Sequence, residues 1–247
     1  MSLDELLRDR KVWETKEVLR LVYTRQFFPR LSQNRVPGFR TVEVGAGPGL
    51  YKQFAPDVLS SDITVCPWHD LAANGEHLPF AAASLDNVIG LDVVHHLNNP
   101  LSFFCESARV LRAAGRVVLI EPWMTPFGYL VNRCFIPEEC DLTWQPGEML
   151  VQDQNRQKRK DPFEANSAVP YLLFNRFRHR LRELMPELRL VKIERFALFG
   201  YLLSMGFRET SLLPARLYPY VERLESATRS LWEPVAALKA LIVLERV

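Results

Sequence analysis

The segment Glu43-Val44-Gly45-Ala46-Gly47-Pro48-Gly49 sets a carboxylate at the end of an apolar run and follows it with glycine at every second position. Glycine tolerates backbone angles that other residues avoid and lets a ligand approach the main chain closely. A helix starting after such a turn would aim its free N–H groups and positive dipole end at whatever binds. The spacing narrows the ligand. A dinucleotide fingerprint needs Gly-x-Gly-x-x-Gly and a phosphate loop needs Gly-Lys-Ser/Thr; the chain has Gly45-x-Gly47-x-Gly49 and no such tripeptide after it. Glu43 would repel a pyrophosphate but can accept hydrogen bonds from an ammonium or from hydroxyls. Taken alone, the turn would also suit an unrelated fold. Two further acids close apolar runs, Asp62 after Val58-Leu59-Ser60-Ser61 and Asp92 after the run from Ser84 to Leu91. Asp62 has the place where α/β nucleotide sites set a carboxylate on ribose hydroxyls; it also reads as an ordinary cap. His95 and His96 follow Asp92 closely, and imidazole titrates near neutral pH, so proton transfer is within their reach.

Positioning these groups requires strands that stop together at one edge of a sheet. Strand-like runs at 41–44, 58–63, 84–92 and 116–121 alternate with helical signals. Pro100 opens a helix whose apolar Leu101, Phe104, Ala108 and Leu111 share one face, and Ala113-Ala114-Gly115 closes it. Pro56 keeps the first helix after the glycine turn brief. Polar residues concentrate after the strands, the mark of a doubly wound, Rossmann-like α/β sheet, mostly parallel. The run 188–195 alternates like a strand, and 241–246 reads as a final, antiparallel one. Residues 214–240 read as helix interrupted near Pro219 and Pro234.

The 247 residues suffice for one domain with additions. We expect a helical extension over 1–38, a cofactor-binding half over 39–122, a helical lid over 123–187, and a sheet edge with helices over 188–247. Hydrophobic residues make up 48% and charged residues 24%, so a buried core is expected. A net charge of +2 gives no reason to expect nucleic acid as a partner. No apolar run reaches the roughly 20 residues of a membrane span, and no signal peptide opens the chain, so a cytoplasmic protein is expected. The four cysteines, Cys66, Cys105, Cys134 and Cys140, are irregularly spaced; reduced thiols are expected, with neither a disulfide framework nor a metal site.

The ordered set Glu43-Val-Gly-Ala-Gly-Pro-Gly, Asp62, Leu78-Pro79-Phe80, Leu85-Asp86-Asn87-Val88, His95-His96-Leu97, Arg109-Val110-Leu111-Arg112 and Gly115-Arg116 resembles the small-molecule, type 11-like branch of class I S-adenosylmethionine-dependent methyltransferases. The resemblance covers residues 40 to 122. Two positions depart from it: Asn74 replaces the family's usual aspartate, and Ala113-Ala114-Gly115 its Pro-Gly-Gly turn. The resemblance implies S-adenosylmethionine as cofactor and S-adenosylhomocysteine as product. It implies Gly45, Gly47 and Gly49 along the methionine and ribose, Glu43 beneath the ammonium, and Asp62 on both ribose hydroxyls. Ile63 would lie on the adenine face with Asn74 and Gly75 at its edge, and Leu91 and Asp92 beside the methionine portion. His96 is the first choice for a base, with Asp92 and Glu121 next. A histidine packed beside the sheet, and an Asp92 that caps the following turn, remain open alternatives.

The segment 123–187 is rich in aromatic residues and proline, among them Trp123, Tyr129, Trp144, Phe163 and Phe174, and carries basic clusters at 156–160 and 176–182. Each cluster reads as a solvated loop or charged helix face, or as a grip on an anionic part of the acceptor. Residues 3–31 read as one helix, with Trp13 and Tyr23 against the sheet or over the cleft; 199–207 reads as core or as an exposed oligomer or membrane-facing surface. The chain is therefore expected to methylate a small, partly apolar acceptor, amphipathic or anionic; the alternative is a catalytically inactive binding or regulatory protein that keeps the cofactor fold.

Overall fold

A computed structural model describes residues 2–38, 40–136, 138–146 and 165–247. Seven strands form one sheet in the order β3-β2-β1-β4-β5-β7-β6. They are β1 Thr41–Val44, β2 Leu59–Asp62, β3 Leu71–Ala72, β4 Leu85–Leu91, β5 Leu111–Pro122, β6 Leu188–Phe196 and β7 Lys239–Arg246. The first five run parallel, and β7 lies antiparallel between β5 and β6. Central strands buried on both faces need unbroken apolar runs, and β1 and nearly all of β4 are buried throughout. Val42 pairs with Leu59 on one side and Val88 on the other. The strand order thus reverses at β1, and a crevice opens at the carboxyl ends of β1 and β4, where doubly wound sheets bind ligands.

Two apolar layers cover the sheet. On one face, Phe103, Phe104 and Val110 of the helix Pro100–Val110 pack with Leu173, Phe174 and Leu181. On the other, Trp13, Leu19, Phe27 and Phe28 join Tyr51, Phe196 and Tyr218. That helix starts as its sequence predicts. The Asn99 side chain accepts from the N–H groups of Leu101 and Ser102, and Pro100 fills the first turn, where no donor is needed.

The N-terminal helix differs from expectation. Instead of one helix over 3–31 there are α1 (Leu3–Thr15), α2 (Glu17–Val22), a π-turn over Tyr23–Phe27, and α3 (Phe28–Asn34). The break falls at Lys16, whose backbone is extended. Its ammonium donates to the carbonyls of Gly206, Arg208 and Thr210 at 2.7–2.8 Å. Arg20 caps the end of α1 by donating to the carbonyls of Trp13 and Glu14. Distant carbonyls therefore override the helix propensity of lysine. In the C-terminal part, Pro219 sits in the first turn of a helix over Tyr218–Ala227, and the interruption comes at Thr228. Pro234 lies inside the next helix, Arg229–Ala236. The segment 199–207 is half-buried, with Phe199 exposed. No described helix is long and apolar enough to cross a membrane.

Candidate active site

The glycine turn is built on backbone conformation first. Gly45, Gly47 and Gly49 have φ of +67°, +51° and +72°, a region that side chains rarely adopt. A Cβ on Gly45 would lie 2.5 Å from Val93 Cγ2, and one on Gly49 would lie 2.6 Å from Trp68 Cδ1. The turn is held from β2: Asp62 Oδ2 accepts from Gly47 N and Oδ1 from Thr64 N, both at 2.9 Å. A carboxylate has about four acceptor sites, so Asp62 keeps capacity for further donors. Ile63, just beyond it, is 61% exposed.

Glu43 lies directly below. Its side chain is buried, and its Oε2 has no hydrogen-bond partner among the described residues. Burial, reinforced by the charge of Asp62 and only partly offset by Lys52, pushes its pKa up from 4.5 to about 8. An orphaned acid beneath a turn of backbone donors is costly unless something cationic or hydrogen-bonding completes it.

Sequence reading missed the residues that close over this turn. Trp68 Nε1 donates to Gly47 O at 2.9 Å, and His69 Nε2 lies 2.7 Å from the same oxygen. Arg10 of α1 donates to Pro48 O and stacks on Trp68, its guanidinium carbon 4.7 Å from the ring centroid. Trp13, expected against the sheet or over the cleft, is buried and donates to Gln53. At the far rim Asn74 is exposed, with its Oδ1 accepting from Glu76 N, whereas Gly75 is buried where a Cβ would meet Val44.

The carboxyl end of β4 carries a second cluster. Asp92 has φ +55° and pairs with Lys239 at 2.5 Å. Lys239 opens β7 opposite Pro122 and Phe196, which carries its ammonium across the end of β5 toward β4. Burial works against that charge, but Asp92, Tyr201 and Glu121 outweigh it and raise the lysine's pKa. Leu91 is half-buried beside it. Glu121, the third choice for a base, is instead structural. It is fully buried; Oε1 accepts from the N–H groups of Val93 and Val94 at 3.0 and 2.7 Å, and Oε2 lies 2.6 Å from His95 Nδ1. That leaves it no free face for a substrate.

His95 is buried, with Nε2 3.5 Å from Glu138 Oε2; His96 is partly exposed, with Nε2 3.8 Å from Glu138 Oε1. Burial disfavours charge on His95, yet Glu121 and Glu138 overcome it and raise its pKa to about 10. Burial and then the charge of His95 lower His96 to about 4, leaving it a neutral but weak proton acceptor. Glu138 comes from the segment after β5, where no periodicity or motif marks it. Of the two basic clusters, 156–160 lies outside the described residues, as does Phe163. In the other, Arg178–Arg180 is a single 3-10 turn, Arg178 and Arg182 are exposed, and Arg180 pairs with Glu183. The cysteines are free.

Residues 42–119 match the family model described as "Methyltransferase domain". No curated protein matches the chain. Among solved structures, geranyl diphosphate C-methyltransferase from Streptomyces coelicolor, crystallised with Mg2+, geranyl diphosphate and S-adenosyl-L-homocysteine, is 16% identical. That comparison covers 92% of this chain and 77% of the other, with a TM-score of 0.50. A SAM-dependent methyltransferase from Aquifex aeolicus is 12% identical over 97% of this chain and 98% of its own, with a TM-score of 0.48. One from Archaeoglobus fulgidus is 16% identical over 93% of each chain, also at 0.48. At 16% identity the likeness to the Streptomyces coelicolor enzyme speaks for the fold alone. Residues 42–119 thus carry a match to a methyltransferase domain, and the glycine turn and Asp62 lie within it on a sheet of doubly wound order.

Proposed function

We propose that the chain binds S-adenosylmethionine at the glycine turn and methylates a small, partly apolar acceptor. The observation that carries the reading is Glu43, a buried acid with an unpartnered oxygen directly beneath the turn. The donor set fits the cofactor. Glu43 would take its ammonium, directly or through water, and the spare acceptor sites of Asp62 its ribose hydroxyls. Exposed Ile63 would take the adenine face, Asn74 and Gly75 its edge, and Leu91 and Asp92 would border the methionine portion. Gly45, Gly47 and Gly49 give the backbone its close approach. Bound there, the cofactor supplies an electrophilic methyl group.

The chain's remaining work is to bind the acceptor, orient it and exclude water. Half-buried Tyr171, packed edge-on against buried Trp123, offers apolar surface from the lid side. Asp92, held by Lys239, orients a donor group of the acceptor. His96 offers an unprotonated nitrogen nearby, too weak a base to take a proton from an alcohol unaided.

Incubation with methyl-labelled S-adenosylmethionine and a small-molecule extract tests this. Label should move into low-mass organic-soluble products and cease to do so in Asp62→Ala. Label that stays on a tightly bound cofactor would favour the inactive binding protein instead.

A further inference from the structure

We infer that His95, His96 and Glu138 form a binding site for one divalent first-row transition-metal ion, ligated by the two Nε2 atoms and the Glu138 carboxylate. Their ligand atoms lie within 4.8 Å of one another. The site rests on side-chain geometry and stands apart from the cofactor reading.

The separations are the first argument. A histidine and a carboxylate free to hydrogen-bond close to about 2.7–3.2 Å. Here the two pairs stand at 3.5 and 3.8 Å. Bonds of about 2.0–2.2 Å from a central ion place neighbouring tetrahedral ligands about 3.3–3.6 Å apart, so small side-chain adjustments complete the polyhedron.

The surroundings are the second. His95 Nδ1 is committed to Glu121 Oε2 at 2.6 Å, which turns Nε2 toward Glu138. Glu121 is itself pinned by the Val93 and Val94 N–H groups. A buried carboxylate on the far nitrogen of a histidine is the usual support of a metal ligand, since it fixes the ring and raises its basicity. Glu138 has support of its own, accepting from Ser167 Oγ at 2.5 Å. The backbone joins the two sides, Asn166 N donating to His95 O and Ser167 N to Glu139 O.

Exposure supplies the third. The side chains of His95 and Glu121 are 2% and 0% exposed, whereas those of His96 and Glu138 are 36% and 30% exposed. Three protein ligands with one open side describe a site that also admits an exogenous oxygen ligand, unlike a closed structural site. Two imidazoles with one carboxylate favour Zn2+, Fe2+ or Co2+ over Mg2+ and Ca2+.

Chelator-treated full-length protein, titrated with Zn2+ against a chromogenic competitor and separately with Co2+, tests the proposal. One equivalent should bind per chain, with affinity at least about 10-fold weaker in Glu138→Gln and in His96→Ala. The Co2+ spectrum should show nitrogen and oxygen ligands only. No binding, binding unchanged in both variants, or thiolate-to-cobalt charge transfer from a site at the cysteines would each overturn it. Should either variant fail to fold, stoichiometry and spectrum of the unsubstituted protein decide alone.

Discussion

Replacing Glu43 by glutamine should stabilise the ligand-free protein and weaken its hold on the cofactor. The Glu43 carboxyl keeps its proton in the fold up to about pH 8, against 4.5 for an ordinary glutamate. Below the lower value both folded and unfolded chains are protonated there, and the residue adds no pH dependence. Between the two values the folded state holds a proton the unfolded state has lost, so stability falls as pH rises, by about 1.4 kcal/mol per unit. By pH 7 the accumulated loss is about 3 kcal/mol, and it levels off above pH 8 at about 5 kcal/mol. Glutamine is neutral in both states and lifts that loss. For a domain of this size the gain at pH 7 corresponds to a Tm about 6–12 °C higher, less whatever the amide hydrogens cost in a site without acceptors. Thermal unfolding of both proteins from pH 4.5 to 8.5 reads this directly: the glutamine protein should gain steadily on the parent as pH rises from the acid end. A difference independent of pH, or a Glu43→Gln protein less stable at pH 7, would refute the burial argument.

Further predictions follow from the same groups. An ammonium placed on Glu43 favours its charged form, so cofactor binding at pH 7 should release a proton, seen as a buffer-dependent calorimetric enthalpy that vanishes in Glu43→Gln. Gly45→Ala combines a left-handed φ with a Cβ 2.5 Å from Val93 and should cost about 1–3 kcal/mol in denaturant unfolding; a neutral result would mean that the turn relaxes freely. Lys239→Met leaves Asp92 without its partner and should destabilise by about 3–5 kcal/mol, with much of the loss recovered in the Asp92→Asn/Lys239→Met double variant. Additive losses in that cycle would contradict the pairing. Lys16→Met removes three carbonyl contacts and should cost about 2–3 kcal/mol in the same assay; unchanged stability would show that the break after α1 is held by something else.

The parts legible in the sequence are those written locally. The glycine turn, Asp62, and strands β1, β4 and β5 show as apolar runs ending in polar residues, because parallel strands buried on both faces leave that trace. Their sheet matches the expected doubly wound arrangement, including the antiparallel β7. The illegible parts are pairings across long stretches of chain. Lys239 reaches Asp92 only because β7 is inserted between β5 and β6 in a particular register. A lysine heading the apolar run Ala240 to Leu244 was the available hint. Glu138 meets His95 and His96 by the path of the chain after β5, which leaves no periodic signal. The break at Lys16 was hidden because its acceptors belong to residues 206–210. Glu121 reads in the sequence as a base candidate, whereas in the fold its Oε1 is taken by the Val93 and Val94 N–H groups.

The central claim, that the glycine turn is a cofactor site, is tested most directly by titrating the protein with S-adenosylmethionine and S-adenosylhomocysteine in a calorimeter, with a nicotinamide dinucleotide as control. Saturable one-to-one binding of the first two, lost in Asp62→Ala and absent for the control, is the predicted result. Binding that survives Asp62→Ala unchanged, or no binding of either compound, would contradict it.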